Sequence, residues 1–526
     1  MSQNPQTLTE LLSRRCAQGG VALIDRDHPV TADELADQSM RVAQGLWDAG
    51  VREGDRVALW LPNVPAWLSC FFACARLGAI VVAVNTRFRS GEISDILNRS
   101  GAKVLIYWPG FKHIDFDGIL RDARVSELKA LKAIIAYGED EQGPIQSPHE
   151  HLPIQRFADL LACEPYKKDH ARAELGCLIF TTSGTTKLPK FVLHSQASMA
   201  SHAAEAARAF EFDKEGACTL LTVPMCGTFG MSHALSPLAA GRLLIFIPTF
   251  EVATAAAAIE RYQVTHFPAT GDIVAQLRQY SKKPIPYPSV RMVTGVRAGQ
   301  ARLADARGIL MIGIYGSSEM QAILSRQPSE ATPEQREIGG GKMITQASRV
   351  RVCDTVSGKV LPHGEQGEIQ FKGPSCMMGY FGNPEATQEA FTQDGYFKSG
   401  DLGYTVDDST YVYLSRMGDV LRLSGFLVNP LEIESLLDAH DSVSVSQVVG
   451  VEGARGLIPV AFVTLKPGCT LDEETLKDHC AKQIAKFKVP HHIFAIDAFP
   501  FTPSANGNKI QKAKLREIAT ASLKVS

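Results

Sequence analysis

Residues Val57–Val84 read VALWLPNVPAWLSCFFACARLGAIVVAV, and this stretch decides the fold class. Val57–Leu61 is a short apolar run closed by Pro62-Asn63, which predicts a buried strand. A helix follows from about Pro65 to Leu77, with Cys70 and Cys74 four apart on one core-facing side. Ile80–Val84 is a second strand. Strand, helix and strand at this spacing form a βαβ unit, so a parallel sheet is expected. Arg76 and Gly78 interrupt the apolar run, and no transmembrane helix is predicted.

The same alternation extends on both sides. Thr31-Ala-Asp-Glu34 carries the N-cap Thr and the Glu three residues on that start a helix, here running to Trp47. Leu243–Ile247, Ala253–Tyr262 and Val264–Phe267 repeat the strand–helix–strand order. The polar stretch Tyr137–Pro153 reads as a surface loop. After about residue 345 the segments shorten to strands at Arg349–Cys353, Gly367–Lys372 and Tyr411–Leu414, separated by Gly, Pro and Asp turns. Strands at Val445–Val451, Ile458–Leu465 and His492–Ile496 and a helix at Leu471–Ala485 make up the last segment. The expected class is α/β. A large N-terminal domain, 1–418, has parallel-type sheets with helices plus a β-rich subdomain at about 345–418. A small α+β domain, 419–526, follows a boundary at Arg416-Met-Gly-Asp419.

The chain has 526 residues with 54 Lys+Arg against 56 Asp+Glu, a formal charge of −2, so no global field holds nucleic acid or an anionic membrane. Its 45% hydrophobic content is ample for a sizeable core. Eleven cysteines, none in a CxxC pair, offer neither a disulfide framework nor a zinc ribbon. That usage, with no apolar segment in MSQNPQTLTELLSRRC, points to the cytoplasm.

Four segments carry chemistry. Thr181-Thr-Ser-Gly-Thr-Thr-Lys-Leu-Pro-Lys190 places five hydroxyl residues around Gly184 and ends on a lysine, a composition suited to wrapping phosphate. It is not a Walker A loop, and a Ser/Thr/Gly turn with a solvated lysine has the same composition. Ile314-Tyr-Gly-Ser-Ser-Glu319 offers an aromatic for a base, hydroxyls for phosphate and a carboxylate for Mg2+; taken in isolation, a plain strand-end turn is the stronger reading. Asp394-Gly-Tyr-Phe-Lys-Ser-Gly-Asp401 ends in an Asp able to accept from a ribose diol, or simply forms a turn. Gly507-Asn-Lys-Ile-Gln-Lys512 places Lys509 near the C-terminus, where a solvated lysine is the default.

Together, in order and spacing, the four resemble the core motifs of the ANL superfamily of adenylating enzymes, which includes acyl-CoA synthetases. Gly54-Asp55-Arg56-Val57, Leu61-Pro62-Asn63, Gly379-Tyr380, Pro430-Leu-Glu-Ile-Glu434 and Lys486-Phe-Lys-Val-Pro490 extend the likeness over nearly the whole chain. The resemblance implies activation of a carboxylic acid with ATP and Mg2+ to acyl-AMP, releasing pyrophosphate, then transfer to CoA. An acyl-AMP ligase loading a carrier protein or an amine is the alternative. By the resemblance, Thr182, Ser183, Gly184, Thr185, Thr186 and Lys190 match the phosphate loop. Tyr315, Gly316, Ser317 and Ser318 match nucleotide-binding positions, and Glu319 the Mg2+-linked one. Asp401 and Arg416 match the ribose pair, Gly418 and Asp419 the hinge of a mobile C-terminal domain, and Lys509 the adenylation lysine. Gly425 and Phe426 match the segment facing CoA.

Departures are as informative. Lys187 and Phe191 stand where glycines are usual in the family, and Asn508 is inserted before Lys509. Cys226 and Gly227 replace an aromatic and a His beside the acyl pocket, whose other expected members are Gly295 and Met320. Both changes enlarge that corner and favour an aryl or medium-chain acid over acetate. Leu427 occupies a usually polar position, leaving Arg422 as the nearest group to assist the carboxylate, and Arg297 is unusual beside Gly295. Intact Glu319 and Lys509 argue against a non-catalytic nucleotide sensor. The expected partners are small molecules, with no nucleic acid and no membrane span, and a homodimer is one assembly open to the chain.

Overall fold

The computed structural model describes residues 4–123, 128–138, 147–149, 151–181, 189–269, 271–281, 287–295, 310–423, 426–453, 456–504 and 507–525. They fall into two compact units, one of 1–349 with 372–395, the other of 350–371 with 396–526.

The βαβ reading of Val57–Val84 places the centre of the first unit. Strands Arg56–Trp60 and Ile80–Ala83 pair in parallel, joined by helix Pro65–Leu77. This helix is buried nearly all round, not on one side only: Ala66 to Ala75 and Leu77 are all covered, with Cys70 and Cys74 at 0% exposure. Helix Ala32–Asp48 packs against it and covers the side turned from the sheet, while the strands of a sheet clad on both faces read as continuous apolar runs. Among the described residues the sheet has eight strands, in the order 379–380, 191–195, 176–181, 80–83, 56–60, 102–107, 133–136 and 154–156. The order places 176–181 beside 80–83 in parallel, then turns antiparallel at 191–195 and 379–380.

A second, seven-stranded sheet runs 310–312, 292–294, 266–268, 218–221, 243–246, 21–25 and 28–31. Helix Ala32–Asp48 enters from it through the expected capping box: Glu34 N donates to Thr31 Oγ1 at 3.1 Å and Thr31 N to Glu34 Oε2 at 2.7 Å. The strand expected at 264–267 begins two residues later, at His266. Gln263 at φ 50 caps the preceding helix, and Val264 N still bonds to Ile259 O. The sheets are tied by buried Asn63, whose Nδ2 donates to Val223 O at 3.0 Å while its Oδ1 accepts from Met225 N at 2.9 Å.

Strands Gly367–Lys372, Phe397–Thr405 and Thr410–Arg416 pair antiparallel in a β-rich region, with Arg349–Cys353 next to Gly367–Lys372; all but the end residues Arg349 and Lys372 fall in the second unit. Hairpin Leu421–Leu423 with Phe426–Val428 leads to helix Pro430–Asp438 and a sheet of Val443–Gly453, Gly456–Leu465 and His492–Ala495. Helix Glu473–Ala481 is shorter than the expected 471–485, starting where Asp472 Oδ1 accepts from Thr475 N at 3.0 Å. Gly418 and Asp419 lie inside this unit. Arg516 of helix Lys512–Val525 donates through Nη2 to Gly418 O at 2.9 Å and Asp419 Oδ1 at 3.1 Å. No helix among the described residues is long and apolar enough to cross a membrane.

Candidate functional site

The segment Ile314–Glu319 folds as a strand, Ile314–Ser317, then a 3-10 turn, Ser318–Met320, that returns as strand Gln321–Arg326. Gly316 is demanded by packing: a Cβ there would lie 2.3 Å from the Ala322 carbonyl group on the returning strand. Gln321 closes the turn at φ 65, ψ 159, a backbone conformation essentially confined to glycine and costing of order 1–3 kcal/mol. Surrounding contacts hold it there. His194 Nε2 lies 2.7 Å from Ser318 O, and Gln321 Nε2 lies 3.2 Å from His194 Nδ1 and 3.4 Å from Ser198 Oγ. A carbonyl can only accept, so Nε2 carries the imidazole proton and Nδ1 is an acceptor, facing Gln321 Nε2 and, at 3.3 Å, Ser198 Oγ. Burial pushes His194 down to about 4, and the Ser318 carbonyl opposes that only in part, so the ring is neutral.

Glu319 is gripped at both ends. Its backbone O accepts from Met377 N at 2.7 Å and its Oε1 accepts from Tyr380 Oη at 3.0 Å. The Tyr380 ring in turn carries Lys190 Nζ 4.4 Å from its centroid. One aromatic residue thus brings together the lysine that closes the Ser/Thr/Gly loop and the carboxylate of the turn. Tyr315 is buried in the same hairpin, and Ser317 Oγ is buried with no hydrogen-bond partner among the described residues.

Thr182, Ser183, Gly184, Thr185, Thr186 and Lys187 lie outside the described residues. The ends of their loop are fixed: strands Gly176–Thr181 and Phe191–Ser195 pair antiparallel with Thr181 opposite Phe191. Phe191, where glycine is the family's habit, is 2% exposed in the core, with the Arg99 guanidinium 4.3 Å from its ring centroid. Lys190 beside it is exposed.

Of the expected acyl corner, Cys226 is buried and its thiol is pushed up to about 12 by burial, so it packs as a small hydrophobe rather than a nucleophile. Gly227 is the N-cap of helix Thr228–Ala239. Gly295 sits at φ 94, where a Cβ would lie 2.5 Å from Ala269 O and 3.3 Å from Phe229 Cζ. Gly295 and the first turn of that helix therefore meet. His233 locks the contact, with Nδ1 donating to Phe229 O at 2.9 Å and Nε2 accepting from Thr294 Oγ1 at 2.8 Å. Met320 is 1% exposed. Arg297 lies outside the described residues.

In the second unit Asp401 and Arg416 are direct register partners, and Arg416 Nε approaches Asp401 Oδ1 to 3.0 Å. Asp401 is 2% exposed. Arg422 stands opposite Leu427 in the hairpin register and Phe426 opposite Leu423, while Gly425 lies outside the described residues. Lys509 is in strand Gly507–Ile510, opposite Thr502. Three residues on, Lys512 Nζ is bound to Glu434 Oε1 at 2.8 Å, with Glu434 3% exposed. Sequence reasoning passed over His194, Gln321 and His233, polar residues with no local pattern to mark them, and read Asn63 only as the close of a strand and part of a family-like segment, not as the tie between sheets.

Residues 13–381 match the AMP-binding enzyme family and residues 432–506 its C-terminal domain. The chain belongs to the AMP-binding enzyme family. A methyl-dioxo-octahydro-indenyl propanoyl:CoA ligase of Rhodococcus jostii (strain RHA1) is 30% identical over 98% of this chain and 99% of its own length. A 4-coumarate–CoA ligase 5 of Oryza sativa subsp. japonica is 29% identical over 91% of this chain and 87% of its own. Among solved structures, ATP-bound MatB from Rhodopseudomonas palustris superposes with a TM-score of 0.82 at 25% identity, covering 97% of this chain and 98% of that one. The two-part α/β architecture is that of the adenylating enzymes. The enzyme is an adenylate-forming acid–thiol ligase that makes an acyl-AMP and then a CoA thioester, using ATP, Mg2+ and CoA.

Proposed function

We propose that this family member activates a bulky carboxylic acid, aryl or medium-chain, and that the residues below carry the two half-reactions. The observation that carries the substrate class is the small-residue corner. Gly227, at the N-cap of helix Thr228–Ala239, and compact, inert Cys226 put little side-chain bulk there, and Gly295 meets the same helix at Phe229. The two relatives described above act, by name, on a hydroxycinnamate and on a bicyclic propanoate, which supports the same class.

In the first half-reaction a carboxylate oxygen attacks the α-phosphorus of ATP and the bond to pyrophosphate breaks. Two anions must meet, so fixed cations are needed where charge gathers. We assign Lys190 and the hydroxyls of Thr182, Ser183, Thr185 and Thr186 to the phosphates, Tyr315 with Gly316, Ser317 and Ser318 to the nucleotide, and Asp401 with Arg416 to the ribose. Lys509 is assigned to the reacting carboxylate and α-phosphate. Its neighbour Lys512 is committed to buried Glu434, which supports Lys509 as the catalytic one of the pair. Glu319 and the orphan Ser317 Oγ are a hard-oxygen set that fits Mg2+, an ion usually held by one or two carboxylates together with substrate phosphates. When bound there, it supplies neutralisation of phosphate charge.

In the second half-reaction the CoA thiol sulfur attacks the acyl carbonyl, loses its proton and displaces AMP. Gly425 and Phe426 are assigned to CoA, Arg422 to the carboxylate, and Gly418-Asp419 to the hinge on which residues 419–526 turn as a mobile domain between steps. All eleven cysteines are free thiols, which supports a cytoplasmic setting.

The test is a panel of aryl, medium-chain and short-chain acids with ATP and Mg2+, following pyrophosphate release with and without CoA beside a Lys509→Ala enzyme. An aryl or medium-chain acid should give the highest kcat/KM, with thioester formed only when CoA is present and loss of adenylation of about 10²-fold or more in the variant. Preference for acetate sinks the substrate class. An unimpaired Lys509→Ala enzyme sinks the lysine assignment.

A further inference from the structure

His194 is the fourth residue of strand Phe191–Ser195, at the foot of the Ser/Thr/Gly loop, and is 0% exposed. Its two ring nitrogens reach both sides of Glu319. Nε2–H donates to Ser318 O, the residue before it, at 2.7 Å, and Nδ1 accepts from the Gln321 side chain, two residues after it, at 3.2 Å. Between these anchors Gln321 holds a backbone conformation that non-glycine residues keep only where their surroundings over-determine it. An apolar side chain would fill the same volume at lower desolvation cost. What an imidazole adds is a directed donor and a directed acceptor, set by a rigid strand.

We propose that His194 and Gln321 are a positioning pair that holds the Ser318–Glu319 peptide, and through it the Glu319 carboxylate, in the conformation used for adenylation. The inference rests on the assignment of Glu319 to the phosphate and Mg2+ end of the reaction made above. Neither residue touches substrate; both act through the turn. Three contacts already fix Glu319 from other directions: Met377 N on its carbonyl, Tyr380 Oη on its carboxylate, and the glycine-only approach at Gly316. The His194–Gln321 contact supplies the remaining constraint, on the peptide's rotation.

Two amide variants isolate the donor. His194→Gln keeps an N–H at about the reach of Nε2, and His194→Asn falls one methylene short. Adenylation is read by ATP–pyrophosphate exchange at saturating acid, folding by melting temperature. The Asn enzyme should lose about 10–100-fold in kcat while KM for the acid stays within about three-fold, and the Gln enzyme should recover most of the loss. Equal activity of the two variants, high or low, overturns the proposal. If His194→Asn fails to fold, Gln321→Met carries the test: it removes the amide donor to Nδ1 together with that amide's contacts to Ser198 Oγ and Met199 Sδ, and leaves Ser198 Oγ, 3.3 Å away, as the other polar group at Nδ1; wild-type kcat there overturns it. Glu319→Gln separates the premise from the inference. A fully active Glu319→Gln enzyme overturns the reading of the turn itself, whereas a dead one beside an unimpaired His194→Asn overturns the positioning pair alone.

Discussion

Replacing Tyr380 by Phe removes one oxygen atom and leaves the rest of the site standing. In the folded enzyme that oxygen donates to Glu319 Oε1 at 3.0 Å, while the ring below Lys190 Nζ, 4.4 Å away, is untouched by the change. Tyr380 is 6% exposed, and Thr387 Oγ1 accepts from its backbone N at 2.8 Å. A hydrogen bond to a charged group contributes about 1.5–3 kcal/mol. Glu319 is only half-buried, so water replaces part of the lost bond and the lower end of that range applies. At 1.36 kcal/mol per decade, this is a fall of about 10–30-fold in adenylation kcat, with the half-saturating Mg2+ concentration moving upward. The assay is ATP–pyrophosphate exchange titrated with Mg2+ at saturating acid, with Tyr380→Leu alongside. The Leu variant loses both the hydroxyl and the cation–π contact, worth about 0.5–1 kcal/mol at an exposed cation, and should fall further. A Tyr380→Phe enzyme with wild-type kcat and an unmoved Mg2+ midpoint, while Glu319→Gln is inactive, would refute the idea that this bond aims the carboxylate.

Two further outcomes follow from groups buried away from the turn. Burial holds His194, His233 and His266 at about 4 and His202 at about 3, all below the ordinary 6.5, so the unfolded chain binds more protons between pH 6.5 and about 4. Stability is fully present above pH 6.5 and should drain away as the pH falls through this window, by at most about 1.4 kcal/mol per histidine per pH unit; a melting temperature that stays level from pH 6.5 to 4.5 contradicts this. Lys512→Ala leaves the 3%-exposed Glu434 carboxylate with Val448 N as its remaining donor among these contacts, and should cost stability toward the lower end of the roughly 3–5 kcal/mol seen for broken buried pairs. Chemical denaturation reads that loss, and adenylation well below the melting temperature should be unchanged; a loss of exchange activity with unaltered stability would move the catalytic assignment from Lys509 to Lys512.

The parts of this enzyme that a single sequence makes legible are those where local chemistry and fold agree. The capping box at Thr31 and Glu34 formed as written, because both halves of the signal lie within one turn of chain. The buried strands Arg56–Trp60 and Ile80–Ala83 were readable because a sheet covered on both faces needs unbroken apolar runs. The segment assigned to the site stands out for the opposite reason: Tyr315, Gly316 and Glu319 sit at a strand end where apolar patterning alone has no use for them. His194, Gln321 and His233 escaped, and the tying role of Asn63 went unread, because their partners are distant. Separations of 127 residues from His194 to Gln321, 61 from His233 to Thr294 and 160 from Asn63 to Val223 leave no imprint on the neighbouring sequence. A buried polar side chain is costly unless it is hydrogen-bonded, so each of these residues persists through a bond that only the folded chain reveals. The residues assigned to the substrates are therefore recognisable one by one, whereas the pair proposed to aim Glu319 is recognisable only together. The His194–Gln321 contact is the clearest instance. Neither residue alone suggests a function, yet together they hold the turn that carries Glu319.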